Sequence, residues 1–376
     1  MNKQIRLALL FIVLVAIALT IYLIERKKPE QFTIGEIKKI SLPIDYEKKQ
    51  DKAGKYKSAV EFVRPSGFIN TDEFALEDLI GKKVILIDFW TYSCINCQRT
   101  LPYLNAWHQK YQDMGLEIVG VHTPEFDFEK DRNNVVTAAE KYGVKHKIVQ
   151  DNEYGTWRAY NNRYWPAKYL IDIDGYIVFE HFGEGMYEET EAKIVELLNE
   201  RKERLGEDMV AFNKTEIQNE KNKKGGQVYT PETYLGYSRL KAIANLPSTL
   251  CLGKECEYTK LDSLFINTFA LDGKWGIWPE YIELAEGVGS IILRFSADTV
   301  NLVAGSGDSG VVKAEIYLDG TLVSDSMAGI AVDNGVVNFG EYDLYNLIDL
   351  RGDYGEHTLE IKVLEPGFEA YAFTFG

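Results

Sequence analysis

The sequence has little positive charge and few residues of the types that bind transition metals. Its 42 Lys and Arg residues are outnumbered by 57 Asp and Glu, which leaves a net charge of −15. A nucleic-acid partner needs a basic face to neutralise its phosphates, so no nucleic acid is expected as a partner. The chain has only five histidines, which show no ligand spacing, and four cysteines. There is also no internal repeat.

The N-terminal segment lacks the marks of a cleaved or lipid-modified leader. Residues 7–24, "LALLFIVLVAIALTIYLI", are almost wholly apolar. As a helix they would span about 27 Å, close to the roughly 30 Å hydrocarbon core of a bilayer. No small-x-small cleavage site follows and no cysteine lies nearby, which favours a retained anchor over a signal peptide. The sequence therefore predicts a transmembrane anchor at 1–28, although basic residues on both sides leave its orientation open.

Composition divides the rest of the chain into four parts. Residues 29–60 are polar and Lys-rich and are predicted to form a juxtamembrane tether. In 61–200, apolar runs and helical spacings follow the order β-α-β-α-β-β-α, which predicts an α/β domain with a central mixed sheet and flanking helices. A charged stretch that ends in Gly-Gly predicts a linker at 201–227. Short alternating strands with Asp-Gly turns predict an all-β sandwich or jelly roll at 228–376.

Two of the four cysteines, Cys94 and Cys97, stand in the stretch "FWTYSCINCQRTLP". A zinc site would pair them with Cys251 and Cys256 in the other predicted domain, so the pattern argues against a metal. A redox pair needs the first cysteine at the start of a helix that follows a buried strand, because unpaired N–H groups there stabilise a thiolate. The apolar run "KKVILIDFW" and the helical spacing after Cys94 provide that context. The sequence therefore predicts a redox-active Cys94–Cys97 disulfide and no other cofactor.

These segments resemble the thioredoxin superfamily. "ILIDFWTYSCINC" is similar to its strand–Trp–CxxC signature, and "WPAKYLIDIDG" to the segment with its cis-proline, here Pro166. The resemblance covers roughly Phe68 to Glu200. It looks closer still to the AhpC/TSA- or redoxin-like part of DipZ-type proteins, in which a β-sandwich resembling a carbohydrate-binding module also follows. That type carries a multi-helix transmembrane electron conduit ahead of the redox domain, where this chain has one predicted helix.

The resemblance implies roles for the matching residues. Cys94 would be the attacking thiolate and Cys97 the resolving thiol. Asp88 would be the buried acid that accepts the proton of the resolving thiol, for which burial should raise its pKa; a structural, hydrogen-bonded acid is the alternative. The substrate-binding surface would include Trp90, Trp165 and Pro166. Relatives often have a small β-branched residue before that proline, so Trp165 leaves the substrate scope open.

The second cysteine pair, Cys251 and Cys256 in "CLGKEC", matches no motif. A structural disulfide that closes a small loop, a pair of free thiols, and a second exchange or metal site all stay open. A disulfide would place the bulk of the chain in an oxidising compartment, which fits the even cysteine count. We therefore expect a single-pass protein of the cell membrane whose redox and β domains lie outside the cytoplasm.

Three functions can be weighed against each other. The leading prediction is an anchored thiol–disulfide oxidoreductase of the cell envelope that reduces or isomerises disulfides of client proteins, with a separate transmembrane conduit protein of the CcdA/DsbD kind as electron donor. The first alternative is a thiol peroxidase of the AhpC/TSA type, because Thr91 and Cys94 form a T-x-x-C, although the proline required upstream is missing. The second is a cell-wall carbohydrate-binding module with an accessory redox domain. In that module Trp275 and Trp278 would stack on sugar rings, whereas aromatic residues buried in a core are the alternative.

Overall fold

The fold is that of a computed structural model. It describes these parts of the chain: residues 52–209, 211, 213–217, 230–245 and 251–376. The predicted anchor at 1–28, most of the predicted tether and the end of the predicted linker lie outside the described residues. No helix within the described ranges is long and apolar enough to cross a membrane.

The first folded part is built around a mixed β-sheet. Its strands are β1 (Lys57–Ser58), β2 (Gly67–Ile69), β3 (Val84–Trp90), β4 (Leu116–His122), β5 (Lys147–Gln150), β6 (Ala167–Ile171) and β7 (Tyr176–Phe182). They lie in the order β1-β7-β6-β3-β4-β5-β2. Strand β3 pairs in parallel with β4 and antiparallel with β6, and all of its residues are buried. The apolar run before the cysteines is therefore the central strand, as expected for a strand covered on both faces.

Helices cover both faces of this sheet. They are α1 (Ile95–Tyr111), α2 (Arg132–Lys141), α3 (Gly155–Ala159) and α4 (Tyr187–Leu205). Leu86 of β3 packs in one core with α1 and α4, whereas Phe89 packs in the opposite core with Trp157 of α3. The predicted α/β domain is confirmed. The predicted element order was incomplete, because β1, β2, β5 and α3 are too short to leave a clear period in the sequence.

The second folded part contains only β-strands and one short 3-10 helix among its described residues. Its strands are β8 (Thr233–Tyr234), β9 (Glu255–Tyr258), β10 (Thr268–Ile277), β11 (Ile282–Ser296), β12 (Thr299–Gly305), β13 (Val312–Leu318), β14 (Thr321–Leu322), β15 (Val332–Asp333), β16 (Val336–Phe339), β17 (Asp343–Asp349), β18 (Glu356–Val363) and β19 (Glu369–Phe375). The all-β prediction is confirmed. Because the long strand β11 pairs with β10, β18 and β19, the layers of the expected sandwich are joined into one sheet around a single apolar core.

One loop of the first part joins it to the second. Phe126 and Phe128, which follow β4, pack against aromatic side chains of the β domain. The Phe128 ring stacks on Tyr342 with ring centroids 4.9 Å apart and meets Tyr371 edge-on at 4.8 Å. Aromatic pairs of this geometry contribute about 0.5–1.5 kcal/mol beyond the area that they bury. The two domains therefore share an apolar contact next to the start of α1.

Candidate active site

The two cysteines of the motif lie at the junction between β3 and α1. Cys94 is the N-cap residue of α1, and its carbonyl accepts a hydrogen bond from the Gln98 N–H at 3.0 Å. Both cysteines are free thiols, of which Cys94 is half-buried and Cys97 buried. Cys94 is therefore the more accessible of the two sulfurs. The arrangement meets the geometric requirement for an attacking Cys94 and a resolving Cys97.

Burial controls the chemistry of the second thiol. The Cys97 side chain is 1% exposed. Its pKa is raised well above the usual range, first by burial and then by the hydrogen bond with Cys94 and the charge of Asp88. A neutral thiol in such a place needs a nearby base before it can attack a disulfide, because only the thiolate is nucleophilic.

Asp88 is the carboxyl group whose charge acts on Cys97, and it faces a lysine that the sequence analysis missed. It lies on β3 directly opposite Lys168 of β6, with Lys168 Nζ and Asp88 Oδ1 3.8 Å apart and side chains 0% and 1% exposed. Burial raises the pKa of Asp88 to about 7, and the charge of Lys168 opposes that rise. Burial likewise lowers the pKa of Lys168. Neither Nζ nor Oδ1 has a hydrogen-bond partner among the described residues.

The signal for Lys168 was present in the sequence. The strand "AKYLI" is otherwise apolar and begins directly after the predicted cis-proline. A lysine inside a strand whose residues are all buried needs an anionic partner, because an isolated buried charge is very costly. What the sequence does not contain is the register that places this lysine against Asp88.

The peptide bond between Trp165 and Pro166 is cis, as the resemblance implied. The Trp165 indole donates a hydrogen bond to the Thr123 carbonyl at 3.0 Å and packs on Trp157 with ring centroids 4.2 Å apart. The backbone N–H and C=O of Trp165 have no hydrogen-bond partner within the described part of the chain. They are available to a strand-like client segment, a common mode of peptide recognition.

The expectation that Trp90 borders the substrate-binding surface is wrong. Its side chain is 0% exposed and packs edge-on against the His122 ring with centroids 5.2 Å apart. Gly120 of β4 leaves the room for it, since a Cβ atom there would lie 2.7 Å from the indole nitrogen. Because β3 is covered on both faces, its last residue points into the core. Trp90 therefore packs beneath the site and has no exposed surface.

A second buried acid, Glu129, holds the loop that leads into Cys94. It accepts hydrogen bonds from the N–H and Oγ of Ser93 at 3.3 and 2.6 Å. It also accepts one from the Phe126 N–H at 3.0 Å. Burial raises its pKa. Glu129 thereby connects Ser93, the residue before Cys94, to the loop that contacts the β domain. No sequence motif predicted this role.

The two tryptophans considered for sugar binding differ in burial. Trp275 is 0% exposed and donates a hydrogen bond to the Asp272 carbonyl at 2.8 Å. It is a core residue, so of the two alternatives that the sequence left open for Trp275, packing in a core is the one that the structure shows. Trp278 is half-buried, and its indole donates to the Glu283 carboxylate at 2.9 Å. A carbohydrate platform built on both residues is therefore not available.

Cys251 and Cys256 form a disulfide, with Cα atoms 6.0 Å apart. Of the alternatives that the sequence left open for these two cysteines, the structure shows the disulfide that closes a small loop. Cys256 lies on β9 and packs against the core of the β domain. Neither cysteine lines a cavity beside Cys94.

One group of acidic side chains among the described residues could offer three oxygen ligands to a cation: Asp172, Asp174 and Glu200. Lys52 Nζ already lies between these carboxylates, at 2.7, 3.1 and 2.5 Å, and Arg204 pairs with two of them. The group is therefore an ion-pair network that ties the last helix to the turn between β6 and β7.

A mixed sheet with a CxxC pair at the start of the helix after its central strand, and a cis-proline before β6, defines the thioredoxin fold. Comparison with known proteins agrees with this class. Residues 56–180 match the AhpC/TSA family and residues 230–376 match the "Thioredoxin like C-terminal domain" family. The chain belongs to the thioredoxin-like thiol–disulfide oxidoreductases, which confirms the predicted superfamily.

Three curated relatives illustrate the similarity. Protein DipZ of Mycobacterium tuberculosis is 34% identical over 316 residues, which cover 83% of this chain and 42% of DipZ. The thiol-disulfide oxidoreductase YkuV of Bacillus subtilis is 35% identical over 30% of this chain and 77% of YkuV. The thiol-disulfide oxidoreductase ResA of Bacillus thuringiensis is 32% identical over 33% of this chain and 70% of ResA. The chain thus spans less than half the length of DipZ.

Proposed function

We propose that this protein exchanges disulfides with client proteins through Cys94 and Cys97, as a reductant or isomerase. The observation that carries the proposal is the contrast between the two sulfurs. Cys94 is half-buried at the N-terminus of α1, whereas Cys97 is buried and lies within the electrostatic influence of Asp88. That contrast separates the sulfur that attacks a client from the one that resolves the mixed disulfide.

The exchange as a reductant takes two steps. The Cys94 thiolate attacks one sulfur of a client disulfide, so that the client S–S bond breaks, a Cys94–client bond forms and one client sulfur leaves as a thiolate. Asp88 then accepts the proton of Cys97, and the Cys97 thiolate attacks the sulfur of Cys94. The second client sulfur leaves, and the Cys94–Cys97 disulfide has formed. Two electrons pass from the protein dithiol to the client.

The proposal extends to the setting of the reaction. The apolar segment at 7–24 would anchor the chain in the cell membrane, and a disulfide between Cys251 and Cys256 suits an oxidising compartment. Both domains would then lie outside the cytoplasm. Because the Cys94–Cys97 disulfide must be reduced after each turnover, a reductant there requires an electron donor, for which a separate transmembrane conduit protein is proposed.

The peroxidase alternative gains no support from the site. Thr91, which would assist Cys94 in a T-x-x-C peroxidase, is 0% exposed. Its hydroxyl lies 3.5 Å from His122 Nε2, which is also buried. A hydroxyl with a buried partner is poorly placed to bind a peroxide beside Cys94.

Reduction of insulin disulfides by the full chain tests the function. We expect turnover with dithiothreitol as electron donor, complete loss in Cys94→Ser, and a trapped mixed disulfide in Cys97→Ser because the resolving sulfur is missing. Full activity of Cys94→Ser would refute the proposal. The redox state of Cys94 and Cys97 in the native cell tests the direction: a reduced pair supports a reductant or isomerase, and a fully oxidised pair supports an oxidase.

A further inference from the structure

Resting on this proposed function, we propose that the β domain forms one wall of the client site. The client it admits is an extended, cysteine-bearing polypeptide segment that lies between the two domains. This gives the β domain a role in substrate selection at Cys94. The substrates are then unfolded or flexible segments of client proteins, in preference to the surfaces of folded proteins.

The β domain reaches the attacking sulfur itself. A cavity of about 470 Å³ opens beside Cys94. The redox domain lines one side of it with Tyr164 and Trp165, next to the cis peptide. The β domain lines the other side with Tyr234 and Phe375. A client bound to Cys94 through a disulfide must therefore contact both domains.

The wall continues on the far side of Cys94. A second cavity of about 500 Å³ is lined by Arg99 of α1 and by Asn301 and Ile330 of the β domain. Ile95, the residue after Cys94, lines both cavities. The two cavities thus share Ile95 at the start of α1, and we treat them as one groove that includes Cys94 and has one wall from the β domain.

Polar contacts fix this wall in place. Glu125 of the redox domain accepts hydrogen bonds from Arg239 and from the Tyr234 hydroxyl, both at 2.8 Å. The Arg239 guanidinium lies over the Tyr234 ring, 3.6 Å from its centroid. At the other end of the groove, Lys141 pairs with Asp343. Together with the aromatic contacts of Phe126 these bonds hold the β domain against the active site, so it is not a module that swings freely on its linker.

The dimensions and chemistry of the groove favour an extended segment. Each cavity lies in the range of about 300–1,000 Å³ that is typical of ligand pockets and can hold a few side chains. The unpaired backbone groups of Trp165 can bind the main chain of a strand-like segment. Ile330, which is 96% exposed, and Tyr164, which is 56% exposed, offer apolar surface to client side chains on either side of its cysteine. A small disulfide would use only the first cavity.

Photo-crosslinking tests where a trapped client lies. The full chain with Cys97→Ser is mixed with an oxidised peptide that has a central cysteine and a benzophenone side chain several residues to either side. We expect a mixed disulfide at Cys94 and cross-links to segments of the β domain around Tyr234 and Ile330. A mixed disulfide with cross-links confined to the redox domain overturns this inference alone. Failure to form any mixed disulfide overturns the proposed function as well.

A kinetic test uses two exposed apolar residues of the β domain as a matched pair. Ile330 lines the groove, whereas Phe265, which is 85% exposed, does not. If a client covers Ile330, Ile330→Asp should lower kcat/KM for a peptide disulfide about tenfold more than for a small aromatic disulfide. Phe265→Asp should leave both rates unchanged. Equal effects of Ile330→Asp on the two substrates, or none on the peptide, would contradict the inference.

Discussion

Replacing Asp88 by asparagine should stabilise the reduced protein at alkaline pH and slow the reaction. The pKa of this carboxyl group is raised from 3.8 to about 7, mainly by burial. Its proton is therefore bound more tightly in the folded chain than in the unfolded chain. Below pH 3.8 both states are protonated and the group has no effect on stability. As the pH rises to about 7 the folded state loses stability, and above that the loss is complete.

The size of this loss follows from the pKa values. A rise of about 3 in pKa corresponds to about 4 kcal/mol of free energy of unfolding, at about 1.4 kcal/mol per pKa unit. Asp88→Asn removes this penalty. It also leaves Lys168 without its counter-charge, which offsets part of the gain in the free energy of unfolding. We therefore expect stabilisation by up to about 4 kcal/mol at pH 8 and little change at pH 4.

The kinetic effect of Asp88→Asn has the opposite sign. Without a base beside Cys97, the resolving step should slow by about a hundredfold or more, as general bases typically contribute. Its rate should also lose the inflection near pH 7 that the ionisation of Asp88 gives the wild type. Denaturant unfolding in reducing buffer and decay of a preformed mixed disulfide at several pH values provide the two measurements. Equal stability at pH 8, together with an unchanged pH profile of the decay, would refute the reasoning.

Three further changes test the neighbouring interactions. Lys168→Met removes the charge that holds the pKa of Asp88 down, so the inflection in the resolving step should move to higher pH, and an unmoved inflection would exclude this coupling. Glu129→Gln should destabilise the protein by about 1–3 kcal/mol in thermal unfolding, because a buried acceptor is exchanged for a group that matches its donors poorly. Cys251→Ser with Cys256→Ser opens a loop of sequence separation 5, which should cost about 2 kcal/mol and leave insulin reduction intact.

The sequence carried the motif and the two domain classes because those are local properties. Cys94, Cys97 and the apolar strand before them are contiguous, and the alternation of the later strands is visible within each strand. That this strand, β3, is buried was also predicted from its apolar composition. The same prediction should have warned against assigning Trp90 to a surface, since the last residue of a strand covered on both faces enters the core.

The missed features depend on contacts between distant segments. Lys168 meets Asp88 only through the register of β6 against β3, and a shift of one residue would turn it to the other face. Trp275 reads equally well as a sugar platform or a core residue until the strands around it are in place. The disulfide between Cys251 and Cys256 was one of several alternatives for the same reason, since spacing alone does not bring two cysteines together.

The position of Glu129 argues against treating the β domain as an appendage. The loop after β4 places Phe128 among tyrosines of the β domain, while Glu129, the next residue, holds Ser93 beside Cys94. A change in how the β domain packs on Phe128 should therefore displace Glu129, the next residue, whose carboxylate holds the loop before Cys94. A domain that bound sugar independently would need no such connection. A domain that forms a wall of the client site does need it, because wall and sulfur must keep a fixed distance for a client to reach both.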